Sequence, residues 1–256
     1  MSAADAAPLL AQVEIRDRSG DAGCVADNGT FCFGWVADNY DRYVDPTLQH
    51  VMLVVVSVVA GFLIAFALAY FSHRRRWLQP PFLVGTGVLY TIPSLAFFAL
   101  LLPITGRGDD TAIIALTAFT LQIIYRNIVT GLNGVPDDAK DAGRGMGMTE
   151  QQLFWRVEVP LSAPEIIAGV RIATVSTVAI ATLAFIAGAG GLGPVIYGQI
   201  DFKTNVILTS LICLGMAAIF DLLLVLLQAA LSPWRQGAGG AGRGGRFMDL
   251  FRRTAT

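Results

Sequence analysis

At 256 residues, 54% hydrophobic and only 14% charged, the chain departs from soluble domains, which run about 45–50% apolar and about 25% charged. The length sets one domain, and a formal net charge of −1 excludes bulk attraction to nucleic acid. Two histidines and three scattered cysteines, with no paired acids in the apolar runs, leave no constellation for a membrane-embedded enzyme.

Residues 1–47 are polar and mixed, without a run long enough to cross a bilayer. No cleavable signal peptide is visible, because the start lacks a basic stretch followed by an apolar one and contains Asp5, Glu14, Arg16 and Asp17. Cys24 and Cys32 flank a short polar segment whose Asn28-Gly29 pair favours a tight turn. They either form a disulfide or stay as two free thiols; the bridge is expected if the segment lies outside the cell. Cys213 sits in an apolar run and reads as a small core residue.

Five apolar blocks follow, each close to the ~20 residues needed to cross about 30 Å of hydrocarbon. They run from about Leu48 to Phe71, Pro81 to Leu102, Thr111 to Thr130, Pro164 to Ala187 and Val206 to Leu231. The second contains Thr91-Ile92-Pro93-Ser94, and Pro93 predicts a helix kink there, or a sixth helix if the block breaks. The fourth carries small and hydroxyl residues from Ala173 to Thr182 that permit close helix approach. Gly188-Ala189-Gly190-Gly191-Leu192-Gly193 ends it. Gly188, Gly190, Gly191 and Gly193 are expected at the external end, as part of an outer gate or of a docking surface, or as a plain helix terminator. Asp221, the acid placed well inside a span, predicts a cationic partner, either Arg126 or Arg171. The tail after residue 233 is rich in Gly and Arg and reads as a flexible terminus.

Lys and Arg sort by position. His73-Arg74-Arg75-Arg76, the long gap with Lys140, Arg144 and Arg156, and the tail with Arg235, Arg243, Arg246, Arg252 and Arg253 all fall on one side of a five-span chain. Arg16, Arg18, Arg42, Arg107 and Lys203 fall on the other. The N-terminus is therefore expected outside and the C-terminus in the cytoplasm, with His73 part of a basic anchor. The fold expected is all-α and polytopic.

The gap from Asp137 to Pro160 is the most informative stretch. Thr149 and Gln152 make a capping-box pair that starts a helix at Glu150. Gly143, Gly145 and Gly147 predict a tight turn before it, and Pro160 and Pro164 a stop before the next span. Leu153, Phe154, Trp155 and Val157 are expected to project an apolar surface, which calls for a protein partner or for lipid.

This stretch resembles the signature loop of binding-protein-dependent ABC importers: Glu-Ala-Ala, three residues, Gly, nine residues, Ile-x-Leu-Pro. Here it is Asp141-Ala142-Gly143, three residues, Gly147, nine residues, Val157-Glu158-Val159-Pro160. The departures are Asp for Glu, Gly for the second Ala, and Val for both Ile and Leu. Within that family the chain looks like permeases for glycine betaine, carnitine and choline. The likeness lies at Gly145-Met146-Gly147-Met148, Arg156-Val157-Glu158, Thr91-Ile92-Pro93-Ser94-Leu95-Ala96 and Gly188–Gly193. It covers about Leu48 to Pro233.

The resemblance implies a type I importer permease of the bacterial inner membrane, with an external segment 1–47, a transmembrane domain 48–233 and a cytoplasmic tail 234–256. It implies a second permease subunit, identical or paralogous, an external substrate-binding protein, and a cytoplasmic ABC ATPase. Asp141, Ala142, Gly143, Gly147, Leu153, Phe154, Trp155, Val157 and Pro160 would couple the chain to that ATPase. The chain has no phosphate-binding loop ending Gly-Lys-Ser/Thr, so ATP and Mg would be held by the partner, and no cofactor or metal by this chain. Permeases of the methionine or phosphonate type carry similar glycine-rich segments and remain an alternative, as does a secondary transporter working alone.

Overall fold

The computed structural model describes residues 22–231. The expectations for residues 1–21 and for the Gly- and Arg-rich tail lie outside the described residues. Among the described residues every regular element is helical. Two short helices, α1 (Ala22–Ala26) and α2 (Phe33–Asn39), and a 3-10 turn Tyr40–Tyr43 precede the long α3 (Val44–Arg74). Then come α4 (Gln79–Thr91), α5 (Ser94–Thr105), α6 (Asp109–Asn133), α7 (Asp137–Gly145), α8 (Glu150–Leu153), α9 (Val159–Ala181), α10 (Leu192–Gly198) and α11 (Lys203–Leu231).

Four continuous helical stretches are long and apolar enough to cross a membrane, and α4 with α5 forms a fifth, bent by 96°. Pro93 therefore marks a break between two helices rather than a kink within one, the second of the two outcomes expected there. Ile92 has an extended ψ of 126° because the proline ring pushes the preceding residue out of the α region, and Pro93 itself has ψ 129°. Helix α5 then restarts at Ser94.

Helix α6 is the hub, packing against α3, α4, α5 and α9, while α11 leans on α9. One apolar core joins Leu53, Phe97, Phe98, Leu116 and Phe119, and a second joins Ala69, Ile124, Tyr125, Ile128 and Phe154. Helix α11 buries little of its apolar length within the chain, leaving Leu211, Leu214, Ile219 and Leu223 exposed, as suits a hydrocarbon surround.

The ends of the bundle are distinct. At one end α1, α2 and the 3-10 turn form a cap. Asn28 Nδ2 donates to the Asp201 carbonyl at 2.7 Å, and Cys32 N donates to Thr204 Oγ1 at 3.0 Å. Asn28 itself takes a positive φ of 48°, which Asn tolerates in tight turns. Cys24 and Cys32 sit at bonding distance, their Cα atoms 5.9 Å apart. Cys213 is free and half-buried against the first core. The opposite end carries α7 and α8.

Candidate coupling and gate sites

At the α7–α8 end, local sequence builds an elbow. Met148 N donates to the Gly143 carbonyl at 3.2 Å and Gly147 N to the Arg144 carbonyl at 2.9 Å. With Gly147 at φ +80°, this is a Schellman closure of α7, which needs a left-handed residue after the cap. A Cβ on Gly147 would meet open space; the constraint is the backbone angle alone. The close approach is at Gly143, where a Cβ would lie 2.6 Å from Leu153 Cδ1. Thr149 and Gln152 then form a full capping box. Arg144 bridges the elbow, donating to Glu150 at 3.1 Å and to Asp141 at 3.3 Å.

The helix that starts at Glu150 does not stop at Pro160 or Pro164. Residues Phe154–Glu158 widen into a π turn, with Val159 N bonding back to the Phe154 carbonyl, and α9 continues directly. Pro160 follows that turn directly as the second residue of α9, where the widened backbone has already interrupted the regular i→i−4 ladder that its missing N–H would have joined. π turns absorb such irregularities without ending a helix.

The apolar residues of this segment face inward more than expected. Leu153 and Phe154 are buried, while Trp155 stays half exposed. Phe154 packs edge-on to Tyr70 at 5.1 Å and against His73 at 5.5 Å; Trp155 lies beside Phe66 at 5.7 Å. Val157 approaches Gly143 from the side. Glu158, buried, meets His73 at 2.8 Å. The elbow is thus bolted to the last turns of α3, and His73 is more than a basic anchor. Ala142 and Asp141 lie on the last turns of α7, with Asp141 exposed. A polar cleft of about 420 Å³ separates α3 from α7, lined by Arg74, Arg76, Lys140, Glu150 and Glu158 among others.

At the cap end, Gly188–Gly193 links the 3-10 turn Ala184–Ala187 to α10. Gly188 and Gly191 have φ of +79° and +86°, and a Cβ on Gly193 would run into the Thr182 carbonyl. The loop is held by side chains from two other helices. Asp109 accepts from Gly190 N at 3.3 Å and from Gln49 Nε2 at 2.9 Å, and Gln49 Oε1 accepts from Gly191 N at 3.2 Å. His50 is fully buried beneath. Its Nδ1 accepts from Leu192 N at 3.3 Å. The proton therefore sits on Nε2, which donates to the Val178 carbonyl at 3.1 Å. This neutral tautomer ties α3, α9 and α10 together.

Sequence reading missed Gln49, His50 and Asp109. The available signal was a histidine in the first turns of an apolar run, which is by default a functional or structural hypothesis. For Asp221, Arg171 is the partner: Nε and Nη2 donate to its two carboxylate oxygens at 2.8 and 3.0 Å. Arg126 is exposed on α6 and makes no ion pair among the described residues.

An elbow lies at one end and a glycine loop at the other, with four long apolar helices and one bent pair between them, and comparison with known proteins decides what kind of protein the chain is. Residues 42–237 match the family model described as the binding-protein-dependent transport system inner membrane component. The chain belongs to that family. Among similar proteins are the osmoprotectant import permease protein OsmW of Salmonella typhimurium, 35% identical over 78% of this chain and 96% of the relative. The carnitine transport permease protein OpuCB of Listeria monocytogenes is 37% identical, covering 77% and 91%. The choline transport system permease protein OpuBD of Bacillus subtilis is 36% identical, covering 84% and 92%. Among solved structures, the inward-facing MetNI methionine ABC transporter aligns at TM-score 0.65 over 77% of this chain and 97% of that one, at 20% identity. An amino acid ABC transporter aligns at 0.66 over 78% and 98%, at 16% identity. The fold is that of a type I ABC importer permease, and the chain is a multi-pass membrane component of a transporter rather than a catalytic subunit.

Proposed function

We propose that this chain is the permease of an osmoprotectant importer, moving a small quaternary-ammonium or zwitterionic solute such as glycine betaine, choline, carnitine or proline betaine into the cell. The observation that carries the substrate class is that the relatives named above, matched along most of their length, are osmoprotectant, carnitine and choline permeases. Two copies, or this chain and a paralogue, pair in the bacterial inner membrane. An external binding protein delivers the solute, and a cytoplasmic ABC ATPase binds and hydrolyses ATP with Mg.

The elbow Asp141–Pro160 fits the coupling role. It carries the family's glycine spacing, protrudes from one end of the bundle, and is rigidly bolted to α3 through Phe154, Trp155 and the His73–Glu158 pair. Force applied to α8 from a partner would therefore reach α3 and α9 without slack. The arginines clustered at this end favour the cytoplasmic side by the positive-inside rule, which puts the cap, with Cys24 and Cys32, outside. Gly188–Gly193, latched to Gln49, His50 and Asp109, then lies at the outer mouth, suited to gating or to docking of the binding protein.

The test is uptake of radiolabelled betaine, choline, carnitine and proline by a strain lacking the permease, with and without the gene restored under osmotic stress. Restored uptake of at least one supports the reading. Restoration of methionine or phosphonate uptake alone would replace it.

A further inference from the structure

Residues 22–41 precede the stretch that matches the family model, and their contacts converge on one corner of the bundle, the junction of α10 with α11. Lys203 is the first residue of α11. Its N–H, an orphan donor at a helix start, donates to Asn28 Oδ1 at 3.0 Å. Asn28 Nδ2 donates to the Asp201 carbonyl at 2.7 Å, so one carboxamide grips the corner on both sides of Phe202. Phe202 is itself buried edge-on to Trp35, with ring centroids 4.8 Å apart. Cys32 N donates to Thr204 Oγ1 at 3.0 Å, and Tyr43 OH to Asn205 Oδ1 at 2.7 Å. Asn205 Nδ2 passes the tie on to the Val195 carbonyl of α10 at 2.7 Å. Helix α10 is therefore held at its start by His50 and further along by this network.

What aims Asn28 is local. Asn28 N donates to the Val25 carbonyl at 3.2 Å and Gly29 N to the Cys24 carbonyl at 2.8 Å. This is a Schellman closure of α1, with Asn28 at the left-handed position. Helix α1 has five residues, and a helix under about 12 residues is marginal in water on its own. The Cys24–Cys32 bridge supplies the missing constraint. It joins residues eight apart, with Asn28 midway. It also lies against the same turn, since a Cβ on Gly29 would come 2.9 Å from Cys24 Sγ. Closing that loop limits the conformations open to the turn once α1 frays.

We propose that the cap is an external, thiol-sensitive clamp on the transport cycle, with Asn28 as its positioning residue. While the bridge is closed, Asn28 fixes the start of α11, and the network through Asn205 fixes α10 and the glycine loop before it. A dithiol opens the clamp by exchange. One thiolate of the reagent attacks a bridge sulfur and displaces the other as a thiolate. The reagent's second thiol then resolves the mixed disulfide, so two electrons pass to the protein, which gains two thiols, and the reagent ends as a disulfide. Asn28 then leaves the corner, the start of α11 and α10 behind it loosen, and the outer loop returns less often to the geometry that transport requires. The proposal rests on the reading above for sidedness and for the solutes assayed.

The experiment uses the permease assembled with its ATPase in proteoliposomes, supplied with substrate-loaded binding protein, before and after a membrane-impermeant dithiol. Wild type is compared with Asn28→Ala, Asn28→Asp and the pair Cys24→Ser with Cys32→Ser. In wild type the dithiol should lower ATP-driven betaine uptake about fivefold or more, the factor for one or two hydrogen bonds, and speed hydrogen exchange of the Lys203 amide. Asn28→Ala should show the same loss without the dithiol and little more with it, since both act on one contact. Asn28→Asp keeps an acceptor for Lys203 N but loses the donor to the Asp201 carbonyl, so it should fall between. The serine pair should be slow throughout and indifferent to the dithiol, which clears the free Cys213 of any part. Uptake and Lys203 exchange that both stay within about twofold of the untreated wild type after full reduction overturn the proposal. So does a serine pair that responds as wild type does. If a variant fails to assemble, the assembled wild type, oxidised and reduced, still decides. If the oxidised wild type takes up none of the solutes, the substrate reading falls, and Lys203 exchange judges the clamp alone: unchanged on reduction, it overturns it.

Discussion

Glu158 Oε2 lies 2.8 Å from His73 Nε2, joining a residue of the π turn to the last turn of α3 across 85 positions of sequence. Both side chains are largely shielded, at 7% and 17% exposure, so losing one leaves the other poorly solvated. Glu158→Ala or His73→Ala is expected to cost about 1–3 kcal/mol, read as a lower melting temperature of the purified protein. The double variant should cost less than the sum of the two, by about 0.5–3 kcal/mol as for other residues in contact. Strict additivity would mean that the pair does not hold the elbow.

Arg171 and Asp221 form the one direct side-chain tie between α9 and α11 among the described ion pairs. Asp221→Asn keeps the shape and removes the charge. Within a span the isolated Arg171 is costly, so the variant should melt lower or assemble less well, and reversing the pair (Arg171→Asp with Asp221→Arg) should recover part of the loss. If Asp221→Asn leaves assembly and transport unchanged, the pair has neither role.

The outer loop gives a graded prediction. Gly193→Ala meets the Thr182 carbonyl, which is backbone and cannot swing away. Gly190→Ala meets only the Gln49 amide, at the end of a flexible side chain. Gly193→Ala should therefore depress uptake more than Gly190→Ala, while both still copurify with the ATPase. Equal, normal uptake would make the loop a plain helix terminator.

His50 offers a sharper test of the same region. His50→Ala leaves Leu192 N and the Val178 carbonyl without buried partners, an expected loss of about 1–3 kcal/mol for each orphaned group. Faster proteolysis or hydrogen exchange in 188–198, with α6 unaffected, would check it.

Much of this architecture was legible in the residues because the physics is local. Charge-free blocks mark the passages, Thr149 and Gln152 mark the start of α8, and Gly147 sits where a left-handed residue closes α7. What escaped depends on distance or on phase. Pro160 and Pro164 read as stops, whereas Pro160 directly follows the π turn and Pro164 lies inside α9, which carries on past both. Arg126 and Arg171 are equivalent in sequence until the rotation of α6 and α9 is known. Gln49 and His50 meet the glycine loop across 142 residues, and no periodicity announces that. Leu153 and Phe154 looked like a docking surface but serve as the inner face of the elbow.

Cys24 and Cys32 bear on sidedness. With the cap outside an oxidising boundary, the intact protein should gain the mass of two hydrogens on reduction, and neither thiol should label in unreduced cells. A reporter fused after Gly106 should then read outside and one after Gly134 inside. The opposite pattern would invert the topology.

The central claim is that energy enters through the elbow from a separate ATPase, and Gly147 tests it most directly. At φ +80°, Asp is strained while Asn is better tolerated, so Gly147→Asp should insert normally yet open the Schellman turn, with Gly147→Asn milder. The measurement is ATP-driven betaine uptake into proteoliposomes, together with copurification of the ATPase. The account predicts that Gly147→Asp abolishes uptake and weakens or loses the ATPase while the protein stays folded in the membrane. Wild-type uptake and wild-type ATPase recovery in Gly147→Asp would contradict it.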